Sequence, residues 1–211
     1  MSGATAPAPV VFVVDDDDAV RSSLKLLLKS AGLATETYAT ATDFLAAYDP
    51  DRAGCLVLDI RMPAMNGLEL QDELNCRGAI VPVIFITGHG DVPMAVEAMQ
   101  HGAMEFLQKP FRDQDLIDRV RDALELDRQN RAQLAARRVI EVRLASLTPR
   151  ELQVLQLLAT GQSNKQMAGT LGVSQRTIEI HRAHLMRKMQ AKSVAQLLRM
   201  SLNAVIGTST Y

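Results

Sequence analysis

Asp15, Asp16, Asp17 and Asp18 follow directly on the apolar run Val10–Val14. Acid runs are ordinary on solvated surfaces. This one stands at the end of a segment whose β-branched content predicts a buried strand. Other apolar runs end in a similar way. "CLVLDI" (55–60) carries Asp59, "VPVIFIT" (81–87) ends in Thr87, and "AMEFLQ" (103–108) is followed by Lys109 and Pro110. If these runs are parallel strands, Asp15, Asp16, Asp59, Thr87 and Lys109 fall on one edge of a sheet. Three carboxylates converging there raise each other's pKa, a cost that a hard divalent cation removes. Few protein ligands completed by waters is the habit of Mg2+. A hydroxyl and an ammonium beside such a cation suit phosphoryl oxygens. The set therefore predicts metal-assisted phosphoryl transfer to a carboxylate. Asp59 is the expected acceptor, because it stands alone at its strand end while Asp15 and Asp16 can hold the metal. Capping of the following helix accounts for Asp17 or Asp18, but not for the matched groups at the other strand ends.

The elements that must position these groups alternate along the chain. Strands are predicted over 10–14, 33–39, 55–60, 81–87 and 103–108. Helices are predicted over 19–32, 41–49, 66–78 and 91–102, with another beginning after Pro110. Gly32 stops the first helix, and Thr40 or Thr42 opens the second. Five strands, continuous apolar runs apart from the weak one over 33–39, alternating with five helices predict a doubly wound parallel α/β sheet. In the common strand order 2-1-3-4-5, ligands bind beyond the carboxyl ends of strands 1 and 3. The helical pattern then continues to about residue 144. Residues 126–143 contain no Gly or Pro and read as a helical linker. Ile117, Val120, Leu124 and Leu134 form a stripe that either pairs with another chain or packs on its own domain. The last section is all helix, over 148–161, 164–172, 174–190 and 193–206. Thr148 and Ser174 are its caps, Pro149 takes a first helical position, and Gly172 is a stop.

Composition divides the chain in the same place. Its formal net charge is −1 over 211 residues. Residues 1–145 carry 15 Lys and Arg against 22 Asp and Glu, whereas residues 146–211 carry 8 against 2. An acidic first part and a basic last part predict different partners, nucleic acid being the candidate for the basic one. Cys55 and Cys76 make no disulfide framework, and Cys55 reads as a buried, inert thiol. "MSGATAPAP" has no apolar core of a signal peptide, and no run reaches membrane-spanning length. A cytoplasmic protein without a membrane partner is expected.

Residues 10–125 resemble the receiver domain of a two-component response regulator through "VVDDD", "LDIRMPAMNGLEL", "ITGHGD" and "EFLQKPF". "ITGHGDVPMAVEAM" is most similar to the FixJ-like regulators. The resemblance implies that Asp59 accepts phosphate from a sensor histidine kinase. Asp16 would bind Mg2+ directly, Asp15 largely through water, and the Arg61 carbonyl would complete the protein ligands alongside Asp59. Thr87 and Lys109 would engage the phosphoryl group, and Phe106 stands where the family keeps its switching aromatic. An ordinary core aromatic is the other reading of Phe106. Arg61 and His89 would border the path of a hydrolytic water and tune the lifetime of the phosphoryl group, or are exposed loop residues.

Residues 164–189 read as a helix-turn-helix: a short helix, a turn at Gly172, and a second helix with Ile178, Leu185 and Met189 inward. Glu179, Arg182, Ala183 and Lys188 are expected to be exposed. Such a helix can lie in a major groove. His181 and His184 are three apart, with no third metal ligand in view. "LTPRELQVLQLLATGQSNKQMAGTLGVSQRTIEIHRAHLMRKM" resembles the LuxR-type output domain. That resemblance implies a four-helix domain, with Lys165, Thr177, His181 and Lys188 facing the DNA backbone and Glu179, Ile180 and Ala183 facing bases. Some relatives carry lysine at the positions of Glu179 and Ala183, so the target sequence stays open.

The whole chain then reads as a receiver (9–125), a helical linker (126–142) and a LuxR-type helix-turn-helix domain (143–208) of the FixJ/NarL type. The implied partners are a sensor histidine kinase, double-stranded promoter DNA and, on phosphorylation, a second copy of the chain. RNA polymerase is a further candidate. At most, self-phosphorylation from small donors and slow loss of phosphate are expected as enzymatic activity. An aspartyl phosphatase is the alternative from another class. Enzymes of the haloacid dehalogenase type carry a second Asp two positions after the nucleophile, where this chain has Arg61. A receiver that binds partners or DNA without phosphorylation is the third reading.

Overall fold

The computed structural model describes residues 8–88 and 92–206. The chain divides into two compact units, one ending at Ala132 and the other beginning at Gln133.

The first unit contains β1 (Val10–Val14), α1 (Asp18–Ser30), β2 (Ala34–Tyr38), α2 (Ala41–Ala47), β3 (Gly54–Asp59), α3 (Gly67–Cys76), β4 (Val83–Thr87), α4 (Val92–Gln100) and β5 (Glu105–Gln108). It also contains most of α5 (Asp113–Ala145). The five strands form one all-parallel sheet in the order β2-β1-β3-β4-β5, the order expected from the sequence. Alternate side chains of β1, β3 and β4 enter opposite cores. Phe12, Val14, Leu56, Leu58 and Phe85 meet Phe44 of α2, Leu68, Leu70 and Leu74 of α3, and Ala98 of α4. Val11, Val13, Cys55, Val57, Ile84 and Ile86 meet Leu24 and Leu28 of α1 and Leu116, Val120 and Ala123 of α5. Burial on both faces is why these strands read as unbroken apolar runs.

Local chemistry sets the ends of the elements. Asp17 caps α1 by accepting from the N–H groups of Ala19 and Val20, the role foreseen for the outer part of the acid run. Thr40, rather than Thr42, caps α2. Asn66 and Glu69 form a reciprocal capping box at α3. β4 begins at Val83, two residues later than the apolar run, because Pro82 has no N–H to give the ladder. Burial pushes the Cys55 thiol up, in keeping with an inert core cysteine.

Helix α5 runs unbroken for 33 residues. Residues 126–142 are thus helical throughout, but their first turns belong to the first unit. Asp127 is buried there, and Arg131 bonds to the carbonyls of Pro50 and Arg52. Of the predicted stripe, Ile117 and Val120 are buried and Leu124 packs against the same core, so these three residues face their own domain.

The second unit holds the end of α5 with α6 (Pro149–Ala159), α7 (Asn164–Leu171), α8 (Gln175–Met189) and α9 (Val194–Ile206). Val154, Leu155, Leu158, Met167, Ile178, Leu185, Met189 and Leu197 form its core, with Ile140 and Leu144 of α5 packed against it. Thr148, Ser163 and Ser174 cap α6, α7 and α8, and Gly172 closes α7 in the left-handed conformation (φ 67) that a side chain would resist. Among the described residues, no helix is long and apolar enough to cross a membrane.

Candidate phosphoacceptor edge and candidate DNA-facing helix

Because the strands are parallel, the residues that end β1, β3 and β4 and the residue just after β5 share one edge of the sheet. Lys109 places its ammonium between two carboxylates there, with Nζ 2.8 Å from Asp59 Oδ1 and 3.0 Å from Asp15 Oδ2. The other oxygens are also held. The Arg61 N–H donates to Asp59 Oδ2 at 2.7 Å, and the Asp17 N–H donates to Asp15 Oδ1 at 2.9 Å. Arg21 ties down the same corner by donating to the Asp15 carbonyl at 2.8 Å. The peptide bond between Lys109 and Pro110 is cis.

Burial holds the Asp59 carboxyl above the usual carboxylate range, and the Lys109 ammonium offsets only part of that effect. Burial disfavours the ammonium of Lys109 too, but its two carboxylate partners more than compensate and its pKa is raised. The centre is therefore a carboxylate with a cation in contact, largely shielded from bulk water.

The expectation of three converging carboxylates needs correction. Asp15 is buried and Asp59 half-buried, but Asp16 is exposed. Among the described residues no three His, Cys, Asp or Glu side chains gather as a metal-ligand set. Two carboxylates meet, and they meet on a lysine. Asp16 diverges because successive residues at a strand end point to different sides. Thr87 is buried at the end of β4, with its hydroxyl 3.4 Å from the Gly88 carbonyl. The side chain of Arg61 is exposed, and His89 lies outside the described residues. Phe106 is 37% exposed, so it is no ordinary core aromatic in this structure. It pairs with Phe85, which is fully buried, but β5 is an edge strand and leaves its face partly open.

Gly67 is a site residue that sequence reasoning passed over. Its N–H donates to the Ile60 carbonyl at 2.9 Å. A Cβ at this position would lie 2.4 Å from the Asp59 carbonyl oxygen and 2.9 Å from the Phe85 ring. Gly67→Ala must therefore displace backbone at Asp59 itself. It is expected to slow phosphoryl uptake from acetyl phosphate by about tenfold or more, since a full 1 Å misplacement can cost about a hundredfold. A rate within twofold of the native protein would show that the loop absorbs the methyl group elsewhere.

In the second unit, α8 buries Ile178, Leu185 and Met189, the stripe expected. Glu179, Ile180 and Ala183 lie exposed together, and Lys165 is exposed on α7. Ile180, at 48% exposure, is the large apolar side chain of this face, beside the small Ala183 and the charged Glu179. Arg176 and Arg187 flank this stripe at helical spacing and are exposed, yet neither was singled out from the sequence. Thr177 closes the turn through the Ser174 hydroxyl at 2.8 Å, and His181 is half-buried. Arg182 is engaged by Asn164 rather than fully exposed.

Lys188 is a correction. Its ammonium sits 2.7 Å from Glu151 and 3.0 Å from the Ser146 carbonyl, fixing the end of α8 to the start of α6 instead of pointing outward. Glu151 is only 3% exposed. Burial alone would raise its pKa, but Lys188 and the Thr148 N–H hold it down to about 2. A depressed carboxyl stabilises the fold above its unfolded-state value and loses that contribution as pH falls toward 2. Lys188→Met strands the buried carboxylate, and the second unit should lose about 1–3 kcal/mol at neutral pH, less at acid pH. Urea titrations at pH 7 and pH 3 measure the difference.

Comparison with known families follows the same division. Residues 11–121 match the response regulator receiver domain, and residues 145–201 match the bacterial regulatory proteins of the luxR family. The chain belongs to the response regulators. It is 51% identical over 194 residues to the transcriptional regulatory protein FixJ of Azorhizobium caulinodans, covering 92% of each chain. It is 48% identical over 194 residues to nodulation protein W of Bradyrhizobium diazoefficiens, covering 91% of this chain and 85% of that one. Among solved structures, the response regulator StyR superposes with a TM-score of 0.83 at 46% identity, over 93% of this chain and 99% of that one. Full-length FixJ from B. japonicum gives 0.58 at 42% identity, over 96% and 99%. In a two-component response regulator with a LuxR-type domain, the receiver implies a sensor kinase as partner and the helix-turn-helix implies DNA binding.

Proposed function

We propose that phosphorylation of Asp59 by a sensor histidine kinase, dependent on Mg2+, switches this response regulator into a dimer that binds promoter DNA and regulates transcription. The observation that carries this reading is the ammonium of Lys109 seated between Asp15 and Asp59. A pocket that already accommodates a cation between two carboxylates suits a hard divalent ion. Asp15, Asp59, the Arg61 carbonyl and, after rotation, Asp16 are the oxygen donors that would hold it. A divalent ion held by these donors would supply neutralisation of negative charge on the phosphoryl group.

An Asp59 oxygen attacks phosphorus in line with the bond to the kinase histidine. The O–P bond forms, the P–N bond breaks, and the imidazole nitrogen keeps the bonding pair. Lys109 then exchanges the Asp59 carboxylate for a phosphoryl oxygen, and Thr87 turns its hydroxyl to another. The space Thr87 vacates admits Phe106, which leaves the exposed face of β5 and changes the surface beside α4. Two copies pair through that surface, and two α8 helices meet successive half-sites. Glu179, Ile180 and Ala183 face bases, while Lys165, Thr177, His181, Arg176 and Arg187 are placed for phosphates. Arg61 beside the acceptor bears on the lifetime of the phosphoryl group.

DNA binding and oligomeric state, measured before and after acetyl phosphate with Mg2+, test this on the native protein and Asp59→Asn. Dimerisation and tighter, salt-sensitive binding in the native protein alone is the expected result. Equal DNA binding in all four samples would mean that the receiver does not gate the output.

A further inference from the structure

The outer face of α8 carries an acid and an apolar side chain in its middle and arginines toward its ends. Ile178, Leu185 and Met189 are buried. Helical spacing turns Arg176, Glu179, Ile180, Ala183 and Arg187 to the other side, where they are exposed. The rise of an α-helix puts the two arginines about 16 Å apart. A face of that length exceeds the width of a major groove, about 12 Å, so its ends reach the phosphate rims and its middle meets base edges. The middle residues suit no phosphate. The Glu179 carboxylate repels one, and Ile180, at 48% exposure, has no group to offer it. Ala183 carries only a methyl group, so it does not hold this section away from the groove floor.

Glu179, Ile180 and Ala183 include no cation, so the two-pronged contact of Arg or Lys to guanine O6 and N7 is not open to them. The floor then leaves each side chain one partner. Guanine offers a carboxylate only acceptors, and thymine offers it an acceptor and a methyl group. Adenine has an amino group beside its N7 acceptor, which a carboxylate repels. Cytosine alone presents an amino donor with no acceptor of its own beside it. For Ile180, the apolar group on the floor is the thymine C5-methyl. We propose that α8 reads its half-site through cytosine and thymine: the cytosine amino group donates to Glu179, and the thymine methyl packs on Ile180 and Ala183. This rests on α8 lying in the groove of promoter DNA, as proposed above, and names the bases it selects there.

The test selects bound duplexes from a random pool with the full chain, treated with acetyl phosphate and Mg2+, and then varies one base at a time. One cytosine in each half-site should be required, its replacement by thymine weakening binding about tenfold. Glu179→Ala should accept either base there within about twofold. Replacing one thymine per half-site by deoxyuridine, which lacks only the methyl group, should weaken native binding about three- to fivefold. Ile180→Ala should bind the two duplexes alike. A cytosine preference that survives Glu179→Ala, or a methyl preference that survives Ile180→Ala, would overturn the assignment. So would a native affinity unchanged when every thymine is replaced. Each comparison sets two duplexes against one protein sample, so it reads the same whether or not phosphorylation gates binding. Absence of selective binding both with and without acetyl phosphate would overturn the groove reading together with this one.

Discussion

Asp59→Asn is expected to abolish phosphoryl uptake and, at neutral pH, to raise the melting temperature. The first effect follows from removing the nucleophilic oxygen. The second follows from burial, which holds the Asp59 carboxyl above its ordinary range despite Lys109. Between the unfolded and the raised folded value, the folded state binds more protons than the unfolded state. Stability therefore falls as pH rises through that window, and the cost is fully present only above the raised folded value. An uncharged isostere removes it. The difference between variant and native protein should shrink as pH is lowered below the unfolded value. A rise of about 2–4 °C corresponds to about 1 kcal/mol in a chain of this size. A variant that melts lower at pH 7 would show that the contacts to Lys109 and the Arg61 N–H outweigh the burial cost.

Asp127→Ala should have the largest effect on stability. Asp127 is 1% exposed and accepts from Gly54 and Arg131, while Arg131 in turn holds two loop carbonyls. Deleting the carboxylate leaves the Gly54 N–H and a partly buried guanidinium without their partner. Breaking a buried pair from one side costs about 3–5 kcal/mol, and because the Arg131 side chain keeps 20% exposure the lower end applies. Urea unfolding followed by circular dichroism measures it. Glu125→Ala, which opens the exposed pair with Arg128 on the same helix, is the control and should leave the midpoint unchanged. Asp127→Leu combined with Arg131→Met should recover part of the loss, because neither partner is then left buried alone. Equal midpoints for Asp127→Ala and the native protein would mean that water replaces the carboxylate at no cost.

These two residues mark how far sequence reasoning reaches. Asp59 was legible because a single acid at the end of an apolar strand has few structural excuses. Asp15, Thr87 and Lys109 were legible because parallel strands must bring their carboxyl ends to one edge. Asp127 was not. It lies in a polar helical stretch among other charges, and nothing in "LDRQNR" separates a buried acid from a solvated one. Lys188 was misread for the same reason. Helical spacing placed it off the inward stripe of α8, and only the packing of α6 brings a buried glutamate to meet its long stem. Gly67 escaped because a close backbone approach leaves no pattern in the residue types around it.

What the sequence determined by itself is everything that depends on periodicity and order along the chain. That includes five parallel strands with helices between them, the edge that collects Asp15, Asp59, Thr87 and Lys109, the caps of α6 and α8, the stop of α7 at Gly172, and the inward face of α8. Each is a local or topological consequence, because side-chain period and strand direction follow from backbone geometry. Only the tertiary structure decided which charges are paired. It turned Asp16 outward, seated Lys109 between two carboxylates, and buried Asp127 and Glu151. It also left Phe106 on an open face. Those outcomes rest on distances of a few ångströms between segments far apart in sequence. At that range the balance between desolvation and pairing is set by packing, not by residue type.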